Sequence, residues 1–479
     1  MFRKLLLPTR KSCSVLLSKH LKYSRKEGVQ REFIPVCVGF VITSLCSLHM
    51  LSTALVLHRI LTDSHSNRNI KMQNTEYYDK IDTVEVFILR APLGKAKFWS
   101  SQSSFPERNS LLVKITSGDT IGWGEAGQYG PPEPVAAAIE HVLAKRIIGK
   151  SVQPTVVSEE LYAFSRDFGQ RGTYVEAISG IDVALWDLLG KKLGVPVCKL
   201  LGGAFRTRVK VYATGCYYRH DCQDPATIDI KESVQACAKE AKSFKDDGFR
   251  AVKIKVGLLS VEDDLKRVAA VREAIGDGIK LMVDANHAYS VPTAVYLAKE
   301  MEKYKVSWFE EPVVPEDIEG YRRVQSKTII PIAGGECSFM RYGFRDLFVG
   351  PSGPCVDIAQ PDIAASGGLS EFMKIATLAS TFGVSLVPHV WGSGVGLAAG
   401  LHAVATLPLT PYTCNPMFME NEPVIEFDRN PNALMDQILL GDQFTLGDDG
   451  ATAVPMDKPG LGVEVDEEAI KRFHVPMGN

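Results

Sequence analysis

Several signatures are missing from this chain, and each absence removes a class of function. Its ten cysteines include no CxxC pair, so the usual thiol-redox and zinc-cluster spacings are absent. Cys216 and Cys222, the closest pair in the main body, lack a second pair or histidines at zinc spacing. Free thiols in a reducing compartment are the expectation. Charge of either sign is not in surplus: the formal net charge is −2, which leaves no bulk electrostatic case for nucleic acid. No P-loop and no nucleophile elbow occurs. The glycines of GSGVGLAAG, from Gly392 to Gly400, superficially resemble a dinucleotide loop. They come far too late in the chain for one, because that fingerprint opens the first βα unit. A tight start to a helix is the better account.

Acidic residues are also missing from the first 26 positions, which hold eight Lys or Arg and several Ser. That composition resembles a mitochondrial transit peptide. Phe33 to Leu57 then runs for 25 residues without a formal charge, enough to cross a bilayer core of ~30 Å. Residues 1–71 are therefore read as an N-terminal extension with a candidate transmembrane segment at 33–57, usable as a membrane anchor. The alternative is a shorter product that starts at Met72. The location is mitochondrial or membrane-anchored with the extension and cytoplasmic without it.

The whole chain is 45% hydrophobic and 23% charged, ordinary for a globular protein, and the globular part begins at about Asp79. Residues 79–200 combine strand-like DTVEVFILRAPL and SLLVKITSGDTIGWGEA with helical patterns, an α+β unit. Residues 201–430 then alternate strand and helix: VKVYATG, AVKIKVG, KLMVDAN, VSWFEEP, PIAGGEC, VDIAQPD, VSLVPHVW and PVIEFD are the strands. Eight strands in strict alternation predict an α/β fold, a (β/α) TIM-type barrel. A doubly wound open sheet is the structural alternative. Residues 431–479 form a segment that returns to complete that unit.

What is present in those strands is a ladder of ionisable residues. Lys253 and Lys255 end the second strand and Asp284 the third. Glu310, Glu336 and Asp362 follow at steps of 26, and His389 comes 27 residues after Asp362. Strand ends at one face are where barrels gather catalytic groups. Three acids converging there repel one another unless a cation neutralises them. Hard oxygen ligands suit Mg²⁺, with Mn²⁺ as second choice. Taken singly, each acid is as well explained by a helix cap. Lys253 and Lys255 share one face of their strand, since side chains alternate with period two. Each would raise the other's acidity, which suits a lysine to act as a base. A carboxylate beside an imidazole orients it and raises its basicity, so Asp362 and His389 form a candidate dyad.

The motif set is similar to the enolase superfamily, in its mandelate racemase and muconate lactonizing enzyme branch. The residues that carry the resemblance are GWGEA (Gly122–Ala126), GIDVALWDLLGK, the KxK of Lys253 and Lys255, DAN (Asp284–Asn286), EEP (Glu310–Pro312), GGE (Gly334–Glu336) and PHVW (Pro388–Trp391). The resemblance covers the chain from about Asp79 onward. It implies that Asp284, Glu310 and Glu336 hold Mg²⁺. It makes Lys255, assisted by Lys253, the base on one face of the substrate, and His389 with Asp362 the partner on the other. It implies an acid at the end of the eighth strand, best matched by Glu426, with Glu420 and Glu422 as alternatives. Asn286 would touch the substrate, and the α+β unit would be a capping domain whose loop from Lys97 to Arg108 sets specificity. The implied reaction removes a proton α to a carboxylate. Dehydration of a hydroxy or sugar acid to a 2-keto-3-deoxy acid is favoured, a step in the breakdown of carbohydrate acids. Racemisation is the alternative, and a non-catalytic relative the third choice. The expected partner is a small carboxylate, and the expected assembly a homo-oligomer.

Overall fold

The computed structural model describes residues 79–127, 130–219, 227–409 and 422–477. The extension 1–71, its candidate span 33–57 and Glu420 lie outside the described residues. Among the described residues no helix is long and apolar enough to cross a membrane.

The capping domain begins with an antiparallel meander, β1 (Thr83–Pro92), β2 (Glu107–Ser117) and β3 (Thr120–Ala126). Ser117 pairs with Thr120, so only two residues turn the β2–β3 hairpin. Gly118 takes the positive φ (55°) that such turns demand. Helices α1 (Pro154–Ser165) and α2 (Thr173–Leu193) follow. Helix α2 lies directly on β3. A Cβ at Gly122 would come within 2.2 Å of the Ala184 carbonyl oxygen, and one at Gly124 within 2.2 Å of that of Gly180. The glycines of GWGEA are thus the price of close helix–sheet approach. This layer has its own core, built from Leu111, Val113, Ile139, Ile178 and Leu185 among others.

Eight parallel strands follow: β4 (Arg208–Thr214), β5 (Ala251–Lys255), β6 (Lys280–Asp284), β7 (Val306–Glu310), β8 (Ile332–Gly334), β9 (Ile358–Ala359), β10 (Ser385–Leu386) and β11 (Val424–Asp428). Helices α3 (Ile230–Asp246), α4 (Val261–Ile275), α5 (Val291–Met301), α6 (Ile318–Gln325), α7 (Met340–Phe348), α8 (Gly368–Thr381) and α9 (Gly394–Ala405) fill the intervals in strict alternation. Their starts are capped as the sequence suggests: Asp229, Ser260, Asp317 and Ser393 accept from backbone N–H groups of the first turn. The sheet runs β10-β9-β8-β7-β6-β5-β4-β11. It curls round so that its two edges meet through a side chain, with the Val390 N–H donating to Glu426 Oε2 at 3.2 Å. This is the (β/α) barrel with its capping domain.

Inside the curl the residues sort by height. Tyr212, Met282, Trp308, Ala333 and Val387 form an apolar floor. The charged residues stand above them at the C-terminal ends. The tail turns back twice. Ala451–Ala453 pairs antiparallel with β4, and α10 (Glu467–Phe473) reaches β1, where Val475 N–H donates to the Ile88 carbonyl at 2.8 Å.

Candidate active site

Asp284 and Glu310 are the last residues of β6 and β7, and Glu336 follows β8 by two. Parallel register carries them to one place: Glu310 pairs with Asp284 and with Ala333 across the ladder. Their carboxylate oxygens lie within 4.8 Å of one another, and all three side chains are buried. Burial penalises each charge, yet the outcomes differ. Burial pushes Glu310 up, and Asp284, Glu426 and Glu336 add to the push against the pull of Lys253, leaving it at about 7. Asp284 also pays for burial, but Lys255 and Lys253 outweigh that and hold it at about 2. Glu336 Oε2 accepts no hydrogen bond. Three hard oxygen donors converging on one point, one of them orphaned, fit a divalent cation such as Mg²⁺.

The lysines close the other side of this cluster. Lys253 Nζ lies 2.6 Å from Glu310, 2.9 Å from Glu426 and 3.7 Å from Asp284. Lys255 pairs with Asp284 and sits over the Tyr217 ring at 4.9 Å. The expected depression of their pKa values does not occur here. Burial pulls both down, but the carboxylates win: Glu310 and Glu426 for Lys253, Asp284 for Lys255. Both are held above the ordinary lysine value. The sequence argument weighed one lysine against its neighbour and left out the acids facing them.

Across the ring, His389 Nδ1 lies 2.7 Å from Asp362 Oδ2. Its Nε2 points inward, 3.6 Å from Glu336 and 3.9 Å from Glu426. Burial lowers the imidazole pKa, but Glu336, Glu426 and Asp362 outweigh it and raise it to about 10. At neutral pH His389 is an imidazolium.

Of the three acids considered for the eighth strand, Glu426 enters the cluster. It accepts from Thr214 Oγ1 at 2.5 Å and from Lys253. Burial raises its pKa, but Lys253 and His389 bring it to about 2. Glu422 precedes β11 and lies at the opposite end of the strand, facing Arg206. Asn286 contributes chiefly backbone: its N–H donates to Asp284 Oδ1 at 2.8 Å, and its carbonyl accepts from Gln102 at 2.8 Å. Arg108, expected at the substrate, is buried and paired with Asp428 at 2.7 Å, stacked on Trp391 at 4.1 Å. Lys97 is half-buried, and among the described residues no ion pair joins it to the cluster.

Two aromatic residues escaped the sequence reading. Tyr217 and Trp391 stack at 6.2 Å, and Phe98 and Phe105 from the Lys97–Arg108 loop pack on them at 4.8 and 4.7 Å. Both follow barrel strands directly, in TGCYY and PHVW, and that position was the available signal. Glu125 of GWGEA was likewise missed. Its carboxylate accepts from Ser110, Ser393 and Gly396, so an acid of the capping domain seats on the start of α9. A Cβ at Gly396 would meet it at 2.5 Å, which explains part of the glycine-rich run.

A cavity of about 760 Å³ opens at the other end of the strands, among Ala251, Val306, Ile358, Leu386 and Val424. Tyr212 and Trp308 of its lining form the layer between it and the ionisable cluster: Trp308 Nε1–H donates to Glu310 Oε2 at 3.0 Å, and Lys253 Nζ lies 5.6 Å from the Tyr212 ring. Barrel active sites form at the C-terminal face, where the cluster sits.

The N-terminal domain of mandelate racemase / muconate lactonizing enzyme matches residues 83–202, and the enolase C-terminal domain-like family matches 236–469. The chain belongs to the enolase superfamily. A D-galactarolactone cycloisomerase of Agrobacterium fabrum is 41% identical over 399 residues, 83% of this chain and 99% of the relative. An arabinonate dehydratase of Saccharolobus solfataricus is 33% identical over 360 residues, 75% and 88% of the two chains. Among solved structures, a racemase from Streptomyces coelicolor A3(2) with bound magnesium superimposes with a TM-score of 0.70. It is 27% identical, covering 82% of this chain and all of that one. This enolase-superfamily chain is therefore similar to enzymes that process acid sugars.

Proposed function

We propose that this protein removes the proton α to the carboxylate of a sugar-derived acid and expels an oxygen substituent from the β-carbon. The observation that carries this reading is the pair of proton-transfer groups on either side of the acid cluster. Lys255 stands on β5 and His389 beyond β10, with the three acids of β6 to β8 between them.

Bound by Asp284, Glu310 and Glu336, Mg²⁺ would neutralise the substrate carboxylate and supply the countercharge that the lysines now give those acids. Lys253 stays in place as a fixed positive charge beside the developing ene-diolate. With the Asp284 charge compensated, Lys255 would give up its own extra proton to solvent and, as the free amine, take the α-proton onto Nζ. His389, already charged, gives its Nε2 proton to the departing oxygen, while Asp362 holds the ring through Nδ1. With a β-hydroxyl, water leaves and the enol formed tautomerises to a 2-keto-3-deoxy acid. A resting imidazolium suits proton donation, which elimination requires. Racemisation would need the same ring to exchange a proton with carbon, so the charge on His389 favours elimination.

A second reading rests on the cycloisomerase relative. If the departing oxygen belongs to a ring, the same two transfers open the ring and the product is an isomer. Incubation in D₂O with Mg²⁺ and a panel of sugar acids and their lactones, followed by NMR, separates these outcomes. Keto acid with loss of water supports dehydration, and keto acid isomeric with the substrate apart from one solvent deuterium supports ring opening. Deuterium at the α-carbon with epimer and no keto acid would replace elimination with racemisation. No exchange with any acid would remove the enzymatic reading.

A further inference from the structure

The acids of the candidate magnesium site have immediate neighbours with a different chemistry. Glu311 follows Glu310, Cys337 follows Glu336, and His287 stands three residues after Asp284. The chain turns sharply at these points: Asn286, His287 and Glu311 have φ of 40°, 51° and 42°. Non-glycine residues rarely adopt such values without a constraint that holds them there. Two backbone bonds do so here, His287 N–H to the Glu311 carbonyl at 2.8 Å and Glu311 N–H to that of Ala333 at 3.0 Å. The result is a second convergent set. An imidazole nitrogen, a carboxylate oxygen and the thiol sulfur of these three residues lie within 4.8 Å of one another.

Glu311 is the anomaly in this set. It is 1% exposed, and among the described residues the one side-chain donor set against its carboxylate is the Cys337 thiol, a weak one. The proposed reaction makes no use of it. A buried carboxylate served by a weak thiol donor alone is costly to ionise unless something positive meets it. The closest recorded ion-pair contact is with the imidazole of His287, whose Nε2 lies 3.7 Å from Oε2 and which carries a charge only when protonated. His287 and Cys337 are both partly exposed, so the set is reachable from solvent.

We propose that His287, Glu311 and Cys337 form a second metal site, selective for a thiophilic divalent cation such as Zn²⁺. Sulfur, nitrogen and one oxygen are the donors that separate Zn²⁺ from Mg²⁺. Zinc–ligand bonds are about 2.0–2.3 Å, so a central ion reaches atoms spread over 4.8 Å with small side-chain movements. Three protein ligands leave a fourth position for water. Binding releases the thiol proton to solvent. It also places the imidazole proton on Nδ1, which now faces Gln102 Nε2 at 2.9 Å. Gln102 must then turn its amide so that Oε1 accepts from Nδ1–H, which gives up its Nε2 bond to the Asn286 carbonyl, so the ion loosens one tie between the Lys97–Arg108 loop and the barrel. The two sites divide the metals by ligand hardness although they share three loops.

The test uses the full chain, stripped with a chelator and then held in excess Mg²⁺. Cd²⁺ is the spectroscopic probe, read by thiolate-to-metal absorption, and Zn²⁺ is counted by equilibrium dialysis. The expected result is a Cd²⁺–thiolate band that excess Mg²⁺ does not remove. Cys337→Ser should abolish it, Glu311→Gln should weaken binding by about tenfold or more, and Asp284→Asn should retain it. Thermal unfolding checks that each variant is folded, and His287→Ala replaces Cys337→Ser if that one is not. A band of full strength in folded Cys337→Ser, or displacement of the ion by Mg²⁺, would overturn the proposal.

Discussion

His389 and His402 flank the same segment, one just past β10 and one within α9, and both are buried. They differ in protonation: at neutral pH His389 is an imidazolium and His402 is neutral. His389 faces Glu336, Glu426 and Asp362 and is raised to about 10. His402 meets only backbone in its recorded bonds. The Cys198 N–H donates to its Nδ1 at 3.2 Å, and its Nε2–H donates to the Leu461 carbonyl at 3.1 Å. Burial dominates there, and the carbonyls of Leu461 and Pro455 only partly offset it, so its pKa falls to about 4. Depth alone therefore does not set protonation; the sign of the surroundings does. A charged histidine under a ring of acids is poised for chemistry, and a neutral one between amides holds a helix in place.

The largest effect expected from this contrast is on turnover. His389→Asn and Lys255→Ala should each lower kcat by ~10²–10⁴-fold or more, the worth of a positioned acid or base. His402→Gln should leave kcat within about twofold, the size of a change that touches no reacting group. Steady-state rates on whichever sugar acid is turned over, with circular dichroism to confirm folding, check this. Equal losses in all three would erase the distinction between the histidines.

Stability should divide them next, and in opposite directions. His402 has a depressed folded pKa, so its contribution is intact above the ordinary value of 6.5 and is lost as pH falls toward about 4. Over that window the unfolded chain binds more protons. The shift corresponds to roughly 3 kcal/mol at 1.36 kcal/mol per unit. His389 is raised, so its contribution is intact below 6.5 and fades as pH climbs through about 10. Urea unfolding from pH 4 to 7 should show a shallower slope in His402→Gln than in the native chain. An unchanged slope would mean that His402 is not buried neutral.

A smaller effect is expected from the group that orients His389. Asp362→Asn keeps the shape but removes the charge at Nδ1, and should cost about tenfold to a hundredfold in kcat. The loss should shrink at lower pH, where the ring is protonated without help. A pH–rate profile distinguishes this from a general structural loss, which would be flat with pH.

The same contrast explains what could be read from the sequence. Alternation of strand and helix, and acids at steps of 26, exposed the barrel and its ring, because each strand end in a barrel maps to one place in space. The dyad of Asp362 and His389 was legible for the same reason. The charge on the lysines was not, since it depends on Glu310, Glu426 and Asp284 approaching from other strands. Glu426 could not be separated from Glu422 by sequence, since one lies within a short strand and the other just before it, and only the strand's bounds and direction decide. Trp391, Glu125 and Glu311 were hidden for a further reason: their partners come from the capping domain or from neighbouring loops, and no local period marks such contacts.

The finest test concerns His389 itself. Of the acids that keep it charged, Glu336 acts most strongly, and Glu336 is also one of the three carboxylates assigned to the metal. A cation shared by those carboxylates cancels part of their field at Nε2, 3.6 Å away. Mg²⁺ should therefore lower the His389 pKa, while His402, held by backbone alone, should not move. Histidine side-chain NMR titrations with chelator and with saturating Mg²⁺ measure both rings in one sample, and His389→Asn assigns the signal. A downward shift confined to His389 fits a metal held by Glu336. Equal shifts in both rings, or none, would mean that the cation binds elsewhere and that the acid cluster is balanced by Lys253 and Lys255 alone.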